Sequence, residues 1–426
     1  MMSKHSTLLR LISQKQEPLL PRVHPQVGRK KVVQMTRSFQ CILAFPLLLA
    51  ASARGSTEPP GGYDGRSLAM GGTGAAYIHN ASAIYHNPAS LDGVKSFTAT
   101  LDFTGSAPRL TSPVSGDGTS VSSDFSVYPL FLAGAAYRLT DRIVIGVAAY
   151  PTGGFGSTYS RVPSYGGQDL KFRILILEAT PTISVMLVDH LSVGLGYRIT
   201  YAKETAHAPS PPGMPPTDAS LSGTNFAGFH LGAYYQPDPD WELAFTYRSK
   251  VNTSLSGTTT QGSTSQNTTS SFASPHTFKV GASHGLFRGA LLLALDFKYL
   301  LFSESNQELV TTVGTFPPQH QPLNWRDVLS VSFGAEYRLN PLLALRAGYS
   351  ISQSATPAST ANFFTVPPGV INSFHAGAGI SLTGWDFDLG ALYEFNGGDN
   401  LQPQGAPAGS YRLRTVIFAA SITFRS

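Results

Sequence analysis

Cysteine is almost absent from this chain: the single one, Cys41, lies close to the N-terminus. The rest can form no disulfide and no thiolate metal site, which suits an oxidising compartment. Charge is sparse too, at 13% of residues, about half of what soluble domains carry. Long apolar runs are also missing, since no stretch reaches the ~20 residues that a membrane helix requires. The longest, 39–53 (FQCILAFPLLLAASA), follows Arg37 and ends in Ala51-Ser52-Ala53, a small-x-small cleavage pattern. It reads as a secretory signal. Residues 1–34 are basic and aperiodic, and Met35-Thr36-Arg37 has the form of a signal-peptide start. The leader is therefore read as a mis-started extension, 1–34, plus a signal peptide, 35–53, with a mature chain beginning near Arg54. Residues 1–53 hold 8 of the 30 Lys+Arg and 1 of the 25 Asp+Glu, leaving 22 against 24, a net charge of −2. The pI near 9.1 thus belongs to the leader and argues for no nucleic-acid partner. No lipobox precedes Cys41, where Ser38-Phe39-Gln40 stand instead.

What is present is alternation. In Leu191–Tyr201 (LSVGLGYRITY) every odd position is apolar or aromatic and every even one small or polar. Such a strand has one greasy face and one polar face. Fourteen segments of this kind follow one another: near 96–105, 127–139, 142–150, 169–187, 190–204, 224–236, 240–256, 272–284, 289–302, 326–338, 341–351, 371–382, 385–396 and 411–424. Their connections alternate strictly. The long ones, 106–126, 151–168, 205–223, 257–271, 303–325, 352–370 and 397–410, are read as solvated surface loops; the others are tight turns. An even strand number with all long loops at one end predicts an all-β fold, an outer-membrane barrel of about fourteen antiparallel strands over 96–426. Its last strand, Val416–Phe424, is amphipathic and ends in an aromatic, as the barrel-assembly machinery requires of a client. Tyr128, Tyr150, Tyr201, Tyr247, Tyr299, Tyr349, Tyr393 and Tyr411 stand near segment ends, which predicts aromatic girdles.

Catalytic signatures are weak. Gly281-Ala282-Ser283-His284-Gly285 fits the nucleophile-elbow spacing, but that motif needs a strand-to-helix turn, and a strand is expected here. Gly71-Gly72-Thr73-Gly74 lacks the Lys-Ser/Thr of a phosphate loop. The histidines have no ligand spacing. No enzyme activity, metal or cofactor is expected.

The inward parity is more informative. Most strands turn polar residues inward, Arg198, Arg248, Glu336, Arg346 and Asp388 among them, and these mixed charges read first as an internal salt-bridge network bracing plug to wall. Strands two to four instead turn Leu130, Leu132, Val144, Ala148, Ile174 and Ile176 inward, which predicts a greasy path along that wall. An anionic head group would then meet Arg198 or Arg346. A bulge would invert this parity, and Pro181 marks strand four as the place for one. Gly146, Gly153, Gly154 and Gly156 are the residues at which pairing of strand three would break; alternatively, Gly146 is a small residue against a plug and the others shape a loop.

Before the first strand lies Gly61–Leu91 (GGYDGRSLAMGGTGAAYIHNASAIYHNPASL), rich in Gly and Ala without a period-two face. Its Gly65-Arg66-Ser67, Gly71–Ala75, Asn80–Ala83 and Asn87-Pro88-Ala89 runs resemble the N-terminal hatch of the long-chain fatty acid transporter (FadL/TodX-type) family. Weaker matches follow in order: Tyr150-Pro151, Ala179-Thr180-Pro181, Tyr247-Arg248-Ser249, Asn324–Asp327 and Leu345–Tyr349. The resemblance implies that 54–95 forms a hatch plugging the lumen of a fourteen-stranded barrel. It also implies passive uptake of hydrophobic small molecules, long-chain fatty acids or hydrocarbons, with lateral release at a kink in strand three. In the hatch, Pro88 fixes a turn and Asn87 can bond to local backbone. The expected partners are a hydrophobic small molecule, outer-membrane lipid and the barrel-assembly machinery, with the chain acting as a monomer. One departure is clear: in the family the third and fourth outer loops commonly form a greasy, partly helical landing site, and here 205–223 and 257–271 are polar. Those polar loops favour an alternative, a hatch-bearing barrel serving secretion or surface assembly.

Overall fold

In a computed structural model the described residues are 61–114, 119–210, 214–401 and 407–426; the expected leader and the start of the expected hatch lie outside them. The strands are β1 (Phe97–Ser112), β2 (Val121–Ser122), β3 (Tyr128–Thr140), β4 (Ile143–Val162), β5 (Gln168–Val188), β6 (Leu191–Ala208), β7 (Thr217–Asp238), β8 (Trp241–Arg248), β9 (Val251–Gln261), β10 (Thr264–Ser274), β11 (His276–Leu286), β12 (Leu291–Leu301), β13 (Glu308–Val313), β14 (Gln319–Pro322), β15 (Val328–Arg338), β16 (Leu343–Gln353), β17 (Val370–Leu382), β18 (Trp385–Asn400) and β19 (Gly409–Arg425). Three staves of the wall consist of two segments each (β2 with β3, β8 with β9, β10 with β11), and β13–β14 is a hairpin in the connection from β12 to β15 whose β13 pairs with β10. The result is a closed antiparallel barrel of fourteen staves, each beside its sequence neighbour, with β1 zipped to β19 from Thr98↔Arg425 to Thr111↔Arg412.

Alternation explains the wall. Phe103, Leu195, Phe245, Phe297, Phe333 and Phe418 are exposed on the outside, while Thr100, Ser192, Thr246, Asp296 and Glu336 on the same strands are buried inside. An exposed apolar belt of this size is stable only against lipid. Tyr201, Tyr299 and Tyr393 are exposed with it, as girdle residues should be. Tyr150 and Tyr411 are fully buried in the interior instead, so proximity to a strand end did not decide their side.

Several expected surface loops are wall. β4 runs on to Val162, β6 to Ala208, and β9–β10 form a hairpin through the Gly/Thr/Ser tract. Neighbouring strands satisfy those backbone groups, and threonine suits a pleated surface. The tract 352–370 departs further: residues 354–357 and 360–368 are buried. Phe363, Phe364 and Val366 pack into an interior apolar cluster, because two adjacent phenylalanines gain more inside than in water. No register shift occurs at Pro181; the bulge lies on β4, between Pro151 and Gly153.

The segment before β1 forms a helix α1 (Gly65–Ala69), a helix α2 (Ala83–His86) and a 3-10 turn over Pro88–Gly93. Asp64 caps α1 through Arg66 N and accepts bonds from Asn80 and Ser82, which folds the segment on itself. Its ties to the wall run all the way round the interior. Arg66 meets Glu336 on β15 at 2.7 Å, and the amides of Gly74 and Ala75 meet Asp296 on β12. His79 meets Glu242 on β8 at 2.7 Å, and Asn87 donates to the Ala233 carbonyl on β7. Ser184 on β5 donates to the Ala89 carbonyl, and the Gly65 amide donates to Ser421 on β19. The wall makes room with glycine: a Cβ on Gly194, Gly232, Gly334 or Gly348 would overlap Pro88–Ala89, Asn87, Met70 and Gly71.

Candidate functional site

The wall is incomplete between β3 and β4. These strands pair from Thr140↔Ile143 to Ala133↔Ala149, with one irregularity at the turn, and no further. Above that point Tyr128–Leu132 pairs only with β1. Pro151–Ser157 pairs only with β5, and beyond it the Thr158 carbonyl accepts from the Asp124 amide, which closes the opening at its outer end. Two prolines account for the stop. Arg138 N bonds towards β1, and the Arg142 carbonyl accepts from β5. Strand alternation then turns the backbone of Pro129 towards β4 and that of Pro151 towards β3. Neither has an N–H to give, so the ladder cannot close here. The bulge at Thr152 bends β4 away and reverses its parity. Gly153 and Gly154 pair with Ile176 and Leu175 on the far side, and Gly156 with Arg173. The ring of Tyr128 packs where a Cβ of Gly156 would stand. Gly146, by contrast, is paired on both sides. It sits where a Cβ would be 3.0 Å from Ile84 in the N-terminal segment, so it serves close packing and not the seam.

The N-terminal segment reaches the seam. The Tyr63 hydroxyl donates to the Pro151 carbonyl, which no strand partner satisfies. Its ring lies 5.1 Å from Tyr85 and 5.9 Å from Tyr150. Burial pushes the Tyr63 hydroxyl well above the usual tyrosine range, with the nearby Tyr85 adding to it, so it stays protonated as a donor. On the opposite side of the segment, burial works to lower His79. The hydrogen bond and charge of Glu242 outweigh it and raise the imidazole above its ordinary value.

The expected apolar path divides in two. Leu132, Val144 and Ala148, with Leu130 beside them, pack in one cluster with Tyr63, Ile84, Tyr85 and Tyr150. They lie at the foot of the seam, under the N-terminal segment. Ile174 and Ile176 belong to a second cluster further out, with Phe172, Ala202, Leu221 and Phe364. Between the two stands a polar belt in which the inward charges pair with one another; its central acid, Glu178, is the member that the sequence did not single out. Glu178 accepts from Arg198 at 2.8 Å, from Arg248 at 2.7 Å and from the Tyr150 hydroxyl at 3.0 Å, all buried. Arg198 also donates to the Ser249 carbonyl at 2.5 Å. It is therefore engaged by its own wall, not held open for an anionic head group. The same is true of Arg346, which lies 2.7 Å from both Glu336 and Asp388. The partners come from other strands, so no local spacing could reveal them.

Asn87, Pro88 and Ala89 form one device. Pro88 starts the 3-10 turn, and the Asn87 side chain accepts from Ala89 N while donating to the carbonyls of Ala75 and Ala233. Ser283, in the elbow-like motif, lies within strand β11 and donates to Glu242 at 2.6 Å. The serine meets the acid, and His79 meets the acid's other oxygen; in a hydrolase the imidazole would stand between them.

The sequence model of the family described as outer membrane protein transport protein (OMPP1/FadL/TodX) matches residues 50–395. No curated protein matches the chain. Among solved structures, the chain is similar to a Pseudomonas aeruginosa FadL homologue at TM-score 0.73 and 16% identity, over 87% of this chain and 99% of that one. It is also similar to the Ralstonia pickettii toluene transporter TbuX, at TM-score 0.66 and 19% identity, over 86% and 98%. The P. putida toluene transporter TodX gives 0.65 and 16%, over 86% and 98%. At these identities the likeness is one of fold.

Proposed function

Since the chain belongs to the outer membrane protein transport protein (OMPP1/FadL/TodX) family, we propose that it is a passive channel through which hydrophobic small molecules cross the outer membrane and leave sideways between β3 and β4. The observation that carries this reading is the seam, which opens in the wall beside apolar inward residues. A greasy solute that left through the far end would enter water at a cost of about 0.8 kcal/mol per CH₂. A gap in the wall avoids that step. Long-chain fatty acids and hydrocarbons are the substrate class, and the toluene transporters among the similar folds favour the hydrocarbons. Residues 61–95, the described part of the expected hatch, block the straight route, with Asn87-Pro88-Ala89 seating them on the wall. Leu130, Leu132, Val144 and Ala148 flank the exit, and Ile174 and Ile176 line the approach. The belt holds lipid, the barrel-assembly machinery inserts the chain, and the chain works as a monomer.

The test is a crosslink. Cys41 is the chain's single cysteine and lies in the expected leader, so introduced thiols stand alone in the mature protein. Phe131→Cys with Gly154→Cys, bridged by a cleavable bis-thiol reagent, should stop uptake of labelled toluene or fatty acid in whole cells, and cleavage should restore it. Full uptake through the bridged barrel would mean that the exit lies elsewhere.

A further inference from the structure

The interior carboxylates of this barrel are matched with care, with one exception. Glu178 and Glu336 hold arginines, Glu242 holds His79 and Ser283, and Asp296 holds two amides. Asp388 holds Arg346, and even Asp102 accepts from Thr104. Glu204 has no hydrogen bond or ion pair among the described residues, is 4% exposed, and keeps Oε1 buried without a partner. It stands on the inward face of β6. Its cross-strand neighbours are Ile174 on β5 and Leu221 on β7, and Ala202 and Ala206 flank it along the strand. All four belong to the outer apolar cluster. A carboxyl surrounded by hydrocarbon and left unpaired is costly. A guest that brings a donor removes that cost, and a guest that brings a second carboxylate adds like-charge repulsion.

Resting on the uptake reading, we infer that Glu204 is a specificity-determining acceptor of the outer lumen. It favours hydrophobic molecules that carry a hydrogen-bond donor, a phenolic hydroxyl or an ammonium group, over carboxylates of the same skeleton. The greasy neighbours take the hydrocarbon body, and Glu204 takes the donor. This selects within the hydrophobic class, and it selects against the fatty acid carboxylate.

Four probes with one carbon frame separate the terms: toluene, p-cresol, 4-methylbenzylamine and 4-methylbenzoate. Their binding is measured by calorimetry on the purified full barrel in detergent, against empty micelles. Wild-type protein should bind p-cresol and 4-methylbenzylamine about tenfold more tightly than toluene, and 4-methylbenzoate no more tightly than toluene. Glu204→Leu should erase both donor preferences and leave toluene binding intact. Glu204→Gln, nearly isosteric, should keep a preference for the phenol and lose that for the ammonium. Heat-modifiable migration on gels checks that each variant is folded. If toluene binds but Glu204→Leu leaves the cresol-to-toluene ratio unchanged, the assignment of Glu204 fails and the uptake reading stands. If folded wild-type protein binds none of the four, both fail together.

Discussion

Two joints in this wall invite comparison. β1 and β19 stand at opposite ends of the sequence, yet they pair without interruption from Thr98↔Arg425 to Thr111↔Arg412. β3 and β4 are joined by a tight turn, which makes their pairing far less demanding to form than that of the chain's two ends. They nevertheless part above Ala133↔Ala149. The more local of the two pairings is the less complete. The difference lies in chemistry and not in distance along the chain: two prolines without donors, a bulge and three glycines sit at the open joint. The closing joint instead presents matched residues such as Thr100 and Thr423, whose hydroxyls meet at 3.0 Å.

The sharpest way to break the comparison is to lock each joint in turn. Phe103→Cys with Ala420→Cys, which are register partners on the closing joint, should form a disulfide and leave uptake unchanged, whereas the bridge across the seam abolishes it. Equal effects on uptake would remove the distinction between the joints. Next in size is the polar belt beside the seam. Glu178→Ala leaves Arg198 and Arg248 facing each other in the interior, a loss of about 3–5 kcal/mol, visible as a lower urea midpoint for the folded barrel. The matching change at the closing joint, Thr100→Val, should cost only about 0.5–1.5 kcal/mol. A smaller effect is expected where the ladder is given back a donor. Pro151→Ala allows one more bond between β3 and β4, worth roughly 0.5–1.5 kcal/mol. It should slow uptake several-fold while the barrel becomes slightly more stable; faster uptake would contradict the seam's role. The smallest effect is one of pH. With its imidazole raised above the ordinary value by Glu242, His79 holds the N-terminal segment most firmly below about pH 6.5, the unperturbed histidine value. That contribution fades as pH rises through the higher value of the folded state. Ion conductance through the barrel should therefore rise on going to alkaline pH, and His79→Gln should flatten the profile.

The staves were readable because a strand's side chains alternate strictly, so fourteen greasy faces could be counted one by one. Parity also placed Leu132, Val144, Ile174, Arg198 and Arg346 on the inside, where they are. It failed just beyond Pro151, because a single extra residue at Thr152 turns the side chains of β4 over as far as Tyr159, where a second irregularity turns them back. It was silent on Gly194, Gly232, Gly334 and Gly348. A small residue on the inner face of a strand reads as lumen lining whether water or a packed segment lies against it. The tract 352–370 looked solvated because its composition is that of a loop; only the cluster waiting inside gives Phe363 and Phe364 a better place than the surface.

By itself, then, the sequence determined the class of the molecule: strand number, the sense of each face, the end that carries the long connections, and the family that its Gly- and Asn-Pro-Ala-containing segment resembles. These are short-range properties, set by alternation and turn chemistry within a dozen residues. The tertiary structure decided which carboxylate each arginine meets, which glycines face the N-terminal segment, where the wall stays open, and that Glu204 is left without a partner among the described residues. Each of these depends on side chains brought together from separate strands, and no local pattern encodes the distance between them.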